Sequence, residues 1–345
     1  MNIIENLFTG LGGVLMNFML WLSLPEWLAA VILLVFKWLM VILLVVLDVI
    51  VLIWLERKVA SYIQERLGPN RLGPGGCFQT IADTLKLMGK EDIIPEKADK
   101  VLFILAPGIF IIISVMLYSV LPFGKGMVVA DFDLSLLFYL SLSALGTLAL
   151  FMAGWASDNK WSLMGAMRAV AQMISYEVPL AFSLLSVVMI TGTLKLSEIS
   201  AMQDHIWFVC LQPVAFIIFF ISLTAELNRG PFDLVEAEQE LTAGPYTEYT
   251  GMRWSLFFLG EYTNLVAGCI LCSTVFFGGW HGPAILPSWL WVFIKAYLFI
   301  FVFFWLKWTL PRIRVDHLMQ FSWKVLVPVS LANVLVTGAV LMIIR

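Results

Sequence analysis

Charge is what this chain has least of. Only 13% of its 345 residues are Asp, Glu, Lys or Arg, whereas 61% are hydrophobic, with 26 Phe and 14 Trp. That scarcity excludes a soluble domain, because apolar runs near or beyond the ~18–20 residues that span a bilayer cannot all be enclosed in one water-facing core. Period-2 alternation is missing too, and a transmembrane barrel needs it. Cysteine is sparse: Cys77, Cys210, Cys269 and Cys272 make no disulfide framework. The C-x-x-C pair Cys269 and Cys272 lies within an apolar run with no second pair nearby, which argues against a metal or cluster site. There is no Gly-rich phosphate loop, no nucleotide motif and no H-E-x-x-H. No metal site and no nucleic-acid partner are expected, and any redox cofactor must sit on another chain.

What remains is an all-α integral membrane protein of about eight transmembrane helices. Treated as a single polytopic domain over 1–345, the apolar runs predict spans at about 28–55, 101–121, 134–156, 170–191, 206–226, 254–277, 289–309 and 325–344. Lys and Arg set the orientation. Sixteen of them follow odd-numbered spans, against Lys125, Lys195 and Arg345 on the other side. Both termini are therefore expected outside and the large loops in the cytoplasm. Residues 7–24 are apolar but lack a basic n-region, so a cleaved signal peptide is not expected; an interfacial helix or a ninth span both stay open.

The loops carry their own patterns. "ERKVASYIQERLGPNRLGPGG" predicts a helix running past the membrane through Glu65 and breaking at Gly68-Pro69 and Gly73-Pro74. In "FQTIADTLKLMGK", Phe78, Ile81, Ala82, Leu85 and Met88 share one face, with Asp83, Lys86 and Lys90 largely off it. This is an amphipathic helix that either lies in the membrane interface or caps the bundle. "AELNRGPFDLVEAEQELTAGPYTEY" holds six acids (Glu226, Asp233, Glu236, Glu238, Glu240, Glu248) and one base, Arg229. Pro231 and Asp233 suit the first turn of a short acidic helix, which Gly244-Pro245 would end. Asp233, Glu236 and Glu240 then share a face, and Glu238 points away.

Ionisable groups inside a span cost roughly 2.5–3.5 kcal/mol on insertion scales and are functional by default. Lys37, Asp48, Glu177, Glu226, Glu261 and Lys295 qualify. Lys37 and Asp48, about 16 Å apart along one helix, cannot pair. Lys295, near an outer helix end, is expected to snorkel. Glu177, Glu226 and Glu261 all fall in the inner half beside the acidic loop. They form either a proton relay or polar cavity, or three unrelated acids each held by an arginine such as Arg168 or Arg229.

Four blocks carry a wider likeness: "ERKVASYIQERLGPNRLGPGG" with "IADTLKLMGKED"; "GWASDNKWSLMGAMRAVAQMISYEVPL"; "AELNRGPFDLVEAEQELTAGPYTEYTGMRWSLFFLGEYTN"; and "LPRIRVDHLMQFSWKVLVPVSL". In these blocks, in their order and across essentially the whole length, the chain resembles the quinone-site membrane component of respiratory complex I. That family comprises a bacterial form and a mitochondrially encoded counterpart. The resemblance implies a non-redox subunit of a proton-translocating NADH:quinone oxidoreductase in the bacterial inner membrane. It would take quinone as substrate and contact lipid, hydrophilic-arm subunits and small membrane subunits, with flavin and iron–sulfur clusters on those partners. By matching motif it implies Arg57, Arg66, Asp83, Lys86 and Arg229 along the quinone passage. It likewise implies Glu177, Glu226, Glu236, Glu238, Glu240 and Glu261 in an acidic path coupling reduction to pumping. Departures from the pattern stand at Asp158, Trp161, Pro245 and His317. The membrane component of an energy-converting hydrogenase is the nearest alternative, although the full "LGPNRLGP" loop and the long acidic loop favour the quinone branch. A stand-alone transporter would need inverted repeats, which the sequence does not display.

Overall fold

A computed structural model describes residues 25–235, 242–283 and 286–344. Residues 7–24, left open above between interface and ninth span, lie outside the described residues. Among the described residues the regular structure is helical, apart from one isolated bridge between Gly124 and Met127. Seven helices there are long and apolar enough to cross a membrane, and an eighth, Pro213–Glu226, is apolar but shorter.

Helix α1, Glu26–Ile63, runs 38 residues. Its Leu, Val and Ile are uninterrupted by Gly or Pro, so nothing breaks the i→i−4 ladder, and at 1.5 Å per residue it reaches about 57 Å, well beyond a bilayer core. It stops at Gln64, where Glu65 turns to a φ of 50°. A short helix, α2 (Gln79–Met88), follows. Its apolar stripe, Phe78, Ile81, Leu85 and Met88, stays exposed, while Thr80 on the other face is buried. The polar side is thus the one that docks on the bundle, and the apolar stripe remains free for a lipid interface.

Helices α3 (Lys100–Met116) and α4 (Ser135–Ala156) pack against each other, and α5 (Lys160–Thr191) against α4. Asp99 Oδ1 caps α3 by accepting from the amides of Val101 at 3.1 Å and Leu102 at 3.5 Å. Asn159 caps α5 through the amide of Trp161 at 3.0 Å. Between α4 and α5, Asp158 takes a φ of 46°. Left-handed backbone is tolerated by Asp and Asn among non-glycines, which accounts for an amide or acid at this corner. The expected span 170–191 begins at Lys160 because that cap starts the helix there.

The expected span 206–226 is broken. After the short α6 (Leu196–Ala201), α7 (Phe208–Leu211) stops at Gln212, and α8 restarts as Pro213–Glu226. Pro213 has no N–H to continue the ladder, and a freed backbone inside a membrane must be satisfied by neighbours. The Gln212 side chain ties the break to the C-terminal helix: its Nε2 donates to Thr337 Oγ1 at 2.9 Å and its Oε1 accepts from Asn333 Nδ2 at 3.1 Å.

Helix α9 (Gly251–Phe276) is the spine, buried almost continuously from Leu265 to Phe276. It packs on α3 and on α10 (Ser288–Thr309). The chain ends in α11 (Val315–Phe321), a π-helical turn over Ser322–Leu326, and α12 (Val327–Ile344). Pro328 follows the π turn and explains it, since its missing N–H displaces the hydrogen-bond register. Lys295 on α10 turns toward the end of α9, donating to the carbonyls of Phe277, Gly279 and His281 at 2.7, 2.8 and 2.6 Å. It therefore caps carbonyls at a helix C-terminus rather than only reaching for water.

The α4–α5 hairpin depends on close backbone approach. A Cβ on Gly154 would stand 2.3 Å from Ala166 Cβ and 2.8 Å from the Ser162 carbonyl, whereas one on Gly146 would meet nothing within 4 Å. Gly154→Val is expected to lower stability by about 1–3 kcal/mol through overpacking. Gly146→Ala should be neutral or slightly stabilising. Thermal denaturation of the detergent-solubilised protein would check both.

Candidate functional site: a buried ion cluster beside an amphipathic helix

Where α1, α8, α9 and α10 meet, five side chains form one charged cluster. Glu56 of α1 is 5% exposed and Arg229, just after α8, is 2% exposed. Glu56 Oε1 accepts from Lys307 Nζ at 2.7 Å, and Oε2 accepts from the Tyr262 hydroxyl at 2.5 Å and from Arg229 at 3.3 Å. Arg229 Nε faces Glu261 Oε1 at 3.6 Å, and its guanidinium lies 4.5 Å from the centre of the Tyr262 ring. Two acids and two bases balance in charge, which is what permits their burial; each carboxylate has a cation in reach and a phenol lies against the guanidinium.

Local structure delivers these groups. Arg229 sits in a turn whose amide bonds the Thr224 carbonyl at 3.2 Å, so the chain reverses as soon as α8 ends. Gln172 of α5 clamps that turn, its Nε2 donating to the carbonyls of Ala225 at 2.7 Å and Phe232 at 2.8 Å. Ile313, after α10, donates its amide to the Pro231 carbonyl at 3.2 Å, and Arg312 faces Asp233 at 3.5 Å.

Asp233 corrects one expectation. Residues 231–235 are not helical, so Asp233 does not occupy the first turn of an acidic helix. Bonds to Gln172 and Ile313 hold the carbonyls of Phe232 and Pro231 in a turn, and those carbonyls cannot also serve a helix. Glu236, Glu238 and Glu240 lie outside the described residues. Beyond them, Gly244 takes a φ of 53° where a Cβ would come within 2.0 Å of the Val235 carbonyl, so only glycine fits. Tyr249 then stacks on Phe103 at 4.1 Å, and burial pushes its phenol above the ordinary value, opposed by Arg253.

The three intramembrane glutamates separate. Glu261 belongs to the ion cluster through Arg229. Glu226 lies beside Ser143, whose hydroxyl donates to the Leu140 carbonyl at 3.2 Å, and Glu177 on α5 is in electrostatic reach. Glu226 lines a small cavity of about 30 Å³ with Tyr139, Ser143 and Asn264, enough for a water. Asn264 Oδ1 is buried there without a hydrogen-bond partner among the described residues.

Of the five residues expected along a passage, Arg57 and Asp83 come together at 2.5 Å, which ties α2 to α1. Arg66 and Lys86 are exposed in the same region. Arg229 is set apart from them, in the buried cluster. Sequence reasoning does not single out Glu56, Lys307 or Tyr262. Glu56 falls one residue past the expected end of the first span, and Lys307 groups with the loop cations. The signal for Glu56 is present in the uninterrupted apolar run, since α1 continues to Ile63 and places Glu56 two turns inside a helix.

Glu56→Ala would leave Arg229 and Lys307 facing a cavity without their shared carboxylate. A loss of about 3–5 kcal/mol is expected, the cost of breaking a buried pair from one side. Glu56→Gln, which keeps an acceptor for Tyr262, should lose less. Midpoints of thermal unfolding for the two variants, measured side by side, check the order.

Comparison with known proteins agrees with this architecture. A sequence model of the family described as NADH dehydrogenase matches residues 36–338. The H subunit of NADH-quinone oxidoreductase from Carboxydothermus hydrogenoformans is 52% identical over 295 residues, covering 85% of this chain and 84% of that protein. The first-numbered H subunit of Geobacter metallireducens is 48% identical over 301 residues, 85% of this chain and 91% of that one. The corresponding protein of Geobacillus sp. is 49% identical over 289 residues, 83% and 87% of the two chains. With so much of each sequence aligned at about half identity, the chain belongs to the NADH dehydrogenase family, with the H subunits of NADH-quinone oxidoreductase.

Proposed function

We propose that this chain, as a non-redox membrane subunit of a proton-translocating NADH:quinone oxidoreductase, builds the quinone-access chamber and carries the start of the acidic path that couples quinone reduction to pumping. The observation that supports it most is a neighbour relation on α1. Arg57 is bonded to Asp83 of the amphipathic helix. Glu56, the preceding residue, anchors the buried cluster of Arg229, Lys307 and Glu261. A polar head group arriving between α1 and α2 would meet Arg57, Asp83, Arg66 and Lys86. One peptide away, the carboxylates begin.

The chemistry of such a site is electrostatic. Arg229 stands between Glu56 at 3.3 Å and Glu261 at 3.6 Å. A guanidinium shared by two carboxylates can shift toward either for a small change in nearby charge, and an altered charge or protonation of the head group would provide one. The acid left behind is then the better proton acceptor. Glu226 beside its cavity, Glu177, and the loop acids Glu236, Glu238 and Glu240 extend the set. Iron–sulfur clusters on hydrophilic-arm partners would supply the electrons, with flavin further upstream. Small membrane subunits and lipid complete the surroundings. The basic loops would face the cytoplasm of a bacterial inner membrane, with both termini outside.

In the assembled complex, Arg57→Ala is expected to raise the KM for quinone about tenfold, roughly 1.4 kcal/mol of binding, with kcat changed less. Glu236→Gln combined with Glu240→Gln should lower coupled quinone reductase activity. Unchanged pumping and turnover in the double variant would return that loop to a solvated surface.

A further inference from the structure

The ion cluster leaves one buried acid unaccounted for. Asp48 lies in the interior of α1, 9% exposed, eight residues before Glu56 and so about 12 Å from it along the helix. Its described hydrogen bond is from the Tyr297 hydroxyl of α10 to Oδ1. The second oxygen, Oδ2, is buried with no hydrogen-bond partner among the described residues. The groups around it are neutral or turned elsewhere. Tyr118, after α3, is in electrostatic reach but donates its hydroxyl to the Thr263 carbonyl at 2.9 Å. Cys269 of α9 is a free thiol in the same reach. On α10, Lys295 is spent on three carbonyls at the far end of α9. On α1 itself, Glu56 is engaged with Lys307 and Arg229. Lys37 lies three turns the other way and is exposed.

We propose that Asp48 and Tyr297 form a proton-holding site in the bundle, separate from the glutamate cluster, that takes up and releases one proton during turnover. An ionised carboxylate here would be buried with a single neutral donor and one bare oxygen, a state far costlier than the neutral acid. A proton on Oδ2 removes the charge, and Tyr297 still donates to Oδ1. Uptake converts the carboxylate and a hydronium ion to the carboxylic acid and water, and release is the reverse. No electrons move, and the Tyr297 O–H bond stays intact in both states. Position suits an intermediate station: the α1 neighbour toward the basic loops is Glu56, and the α10 neighbour toward the other end is Lys295. The turnover part of this proposal rests on the coupling role above; the resting protonation does not.

Infrared spectroscopy of the purified complex in H2O and D2O tests it. The resting enzyme at neutral pH should have a carboxylic-acid C=O band that is lost in Asp48→Asn and shifted in Tyr297→Phe. The same band should change in reduced-minus-oxidised difference spectra. No Asp48-dependent band at rest would overturn the protonated site, whatever the fate of the quinone reading. A band present at rest but unaltered between the redox states would overturn proton exchange. Should Asp48→Asn fail to assemble, Tyr297→Phe decides alone, since an unshifted acid band in that variant overturns the pair.

Discussion

The carboxylate of Glu56 is the interaction on which the rest of this structure leans. Helices α1, α8, α9 and α10 bring an acid, an arginine, a second acid with its tyrosine neighbour, and a lysine together, with Glu56, Arg229 and Tyr262 buried and Glu261 and Lys307 partly exposed. None of these groups could be buried alone, because each would carry several kcal/mol of uncompensated desolvation. Together they close a neutral set. The requirement runs in both directions: the helices must pack in this register for the charges to be tolerated, and the charges resist any slip of one helix past another. Such clusters contribute little net stability, but they penalise every other arrangement.

The same constraint explains how irregular backbone survives in an apolar bundle. A break in a helix exposes N–H and C=O groups that lipid cannot satisfy. At the α7–α8 break the Gln212 backbone serves both segments, its amide donating to the Phe208 carbonyl at 2.7 Å and its carbonyl accepting from the Phe216 amide at 3.1 Å, while its side chain is held by Thr337 and Asn333. At the end of α9 they are the ammonium of Lys295 and the Gln203 amide, whose Oε1 accepts from the Gly278 amide at 2.8 Å. At the turn after α8 the clamp is Gln172. Polar residues that read as oddities in hydrophobic runs are therefore the fittings of particular bends. Asp48 is different, since it serves no bend and pairs with no cation among the described residues.

Much of the architecture is legible in the residues alone. Spans follow from apolar run length and loop breaks from the Gly-Pro pairs, both of which act over a few neighbouring residues. The limits of that approach are visible at Pro213 and Glu56. A window of average hydropathy passes smoothly over Gln212-Pro213, although the missing N–H splits the helix there. It also ends the first span near residue 55, which leaves Glu56 on the loop side, although the helix expected to run past the membrane does continue to Ile63. Asp233 reads as helical by local propensity, which does not register the pull of Gln172 on its neighbour's carbonyl, a contact from α5.

Composition and spacing along single helices dictate the solvent this protein folds in, its helical class, the approximate limits of its spans and the presence of costly acids within them. Packing in three dimensions chooses which acid meets which base. Glu56, Arg229, Glu261 and Lys307 are distributed from the first long helix to the tenth, and no periodicity links them. It takes the closed bundle to share Arg229 between two acids, to turn Glu226 toward a cavity instead of an arginine, and to give Asp48 a phenol for its partner. Coulomb interactions act through space and are set by desolvation, so their partners are settled when the helices close around them.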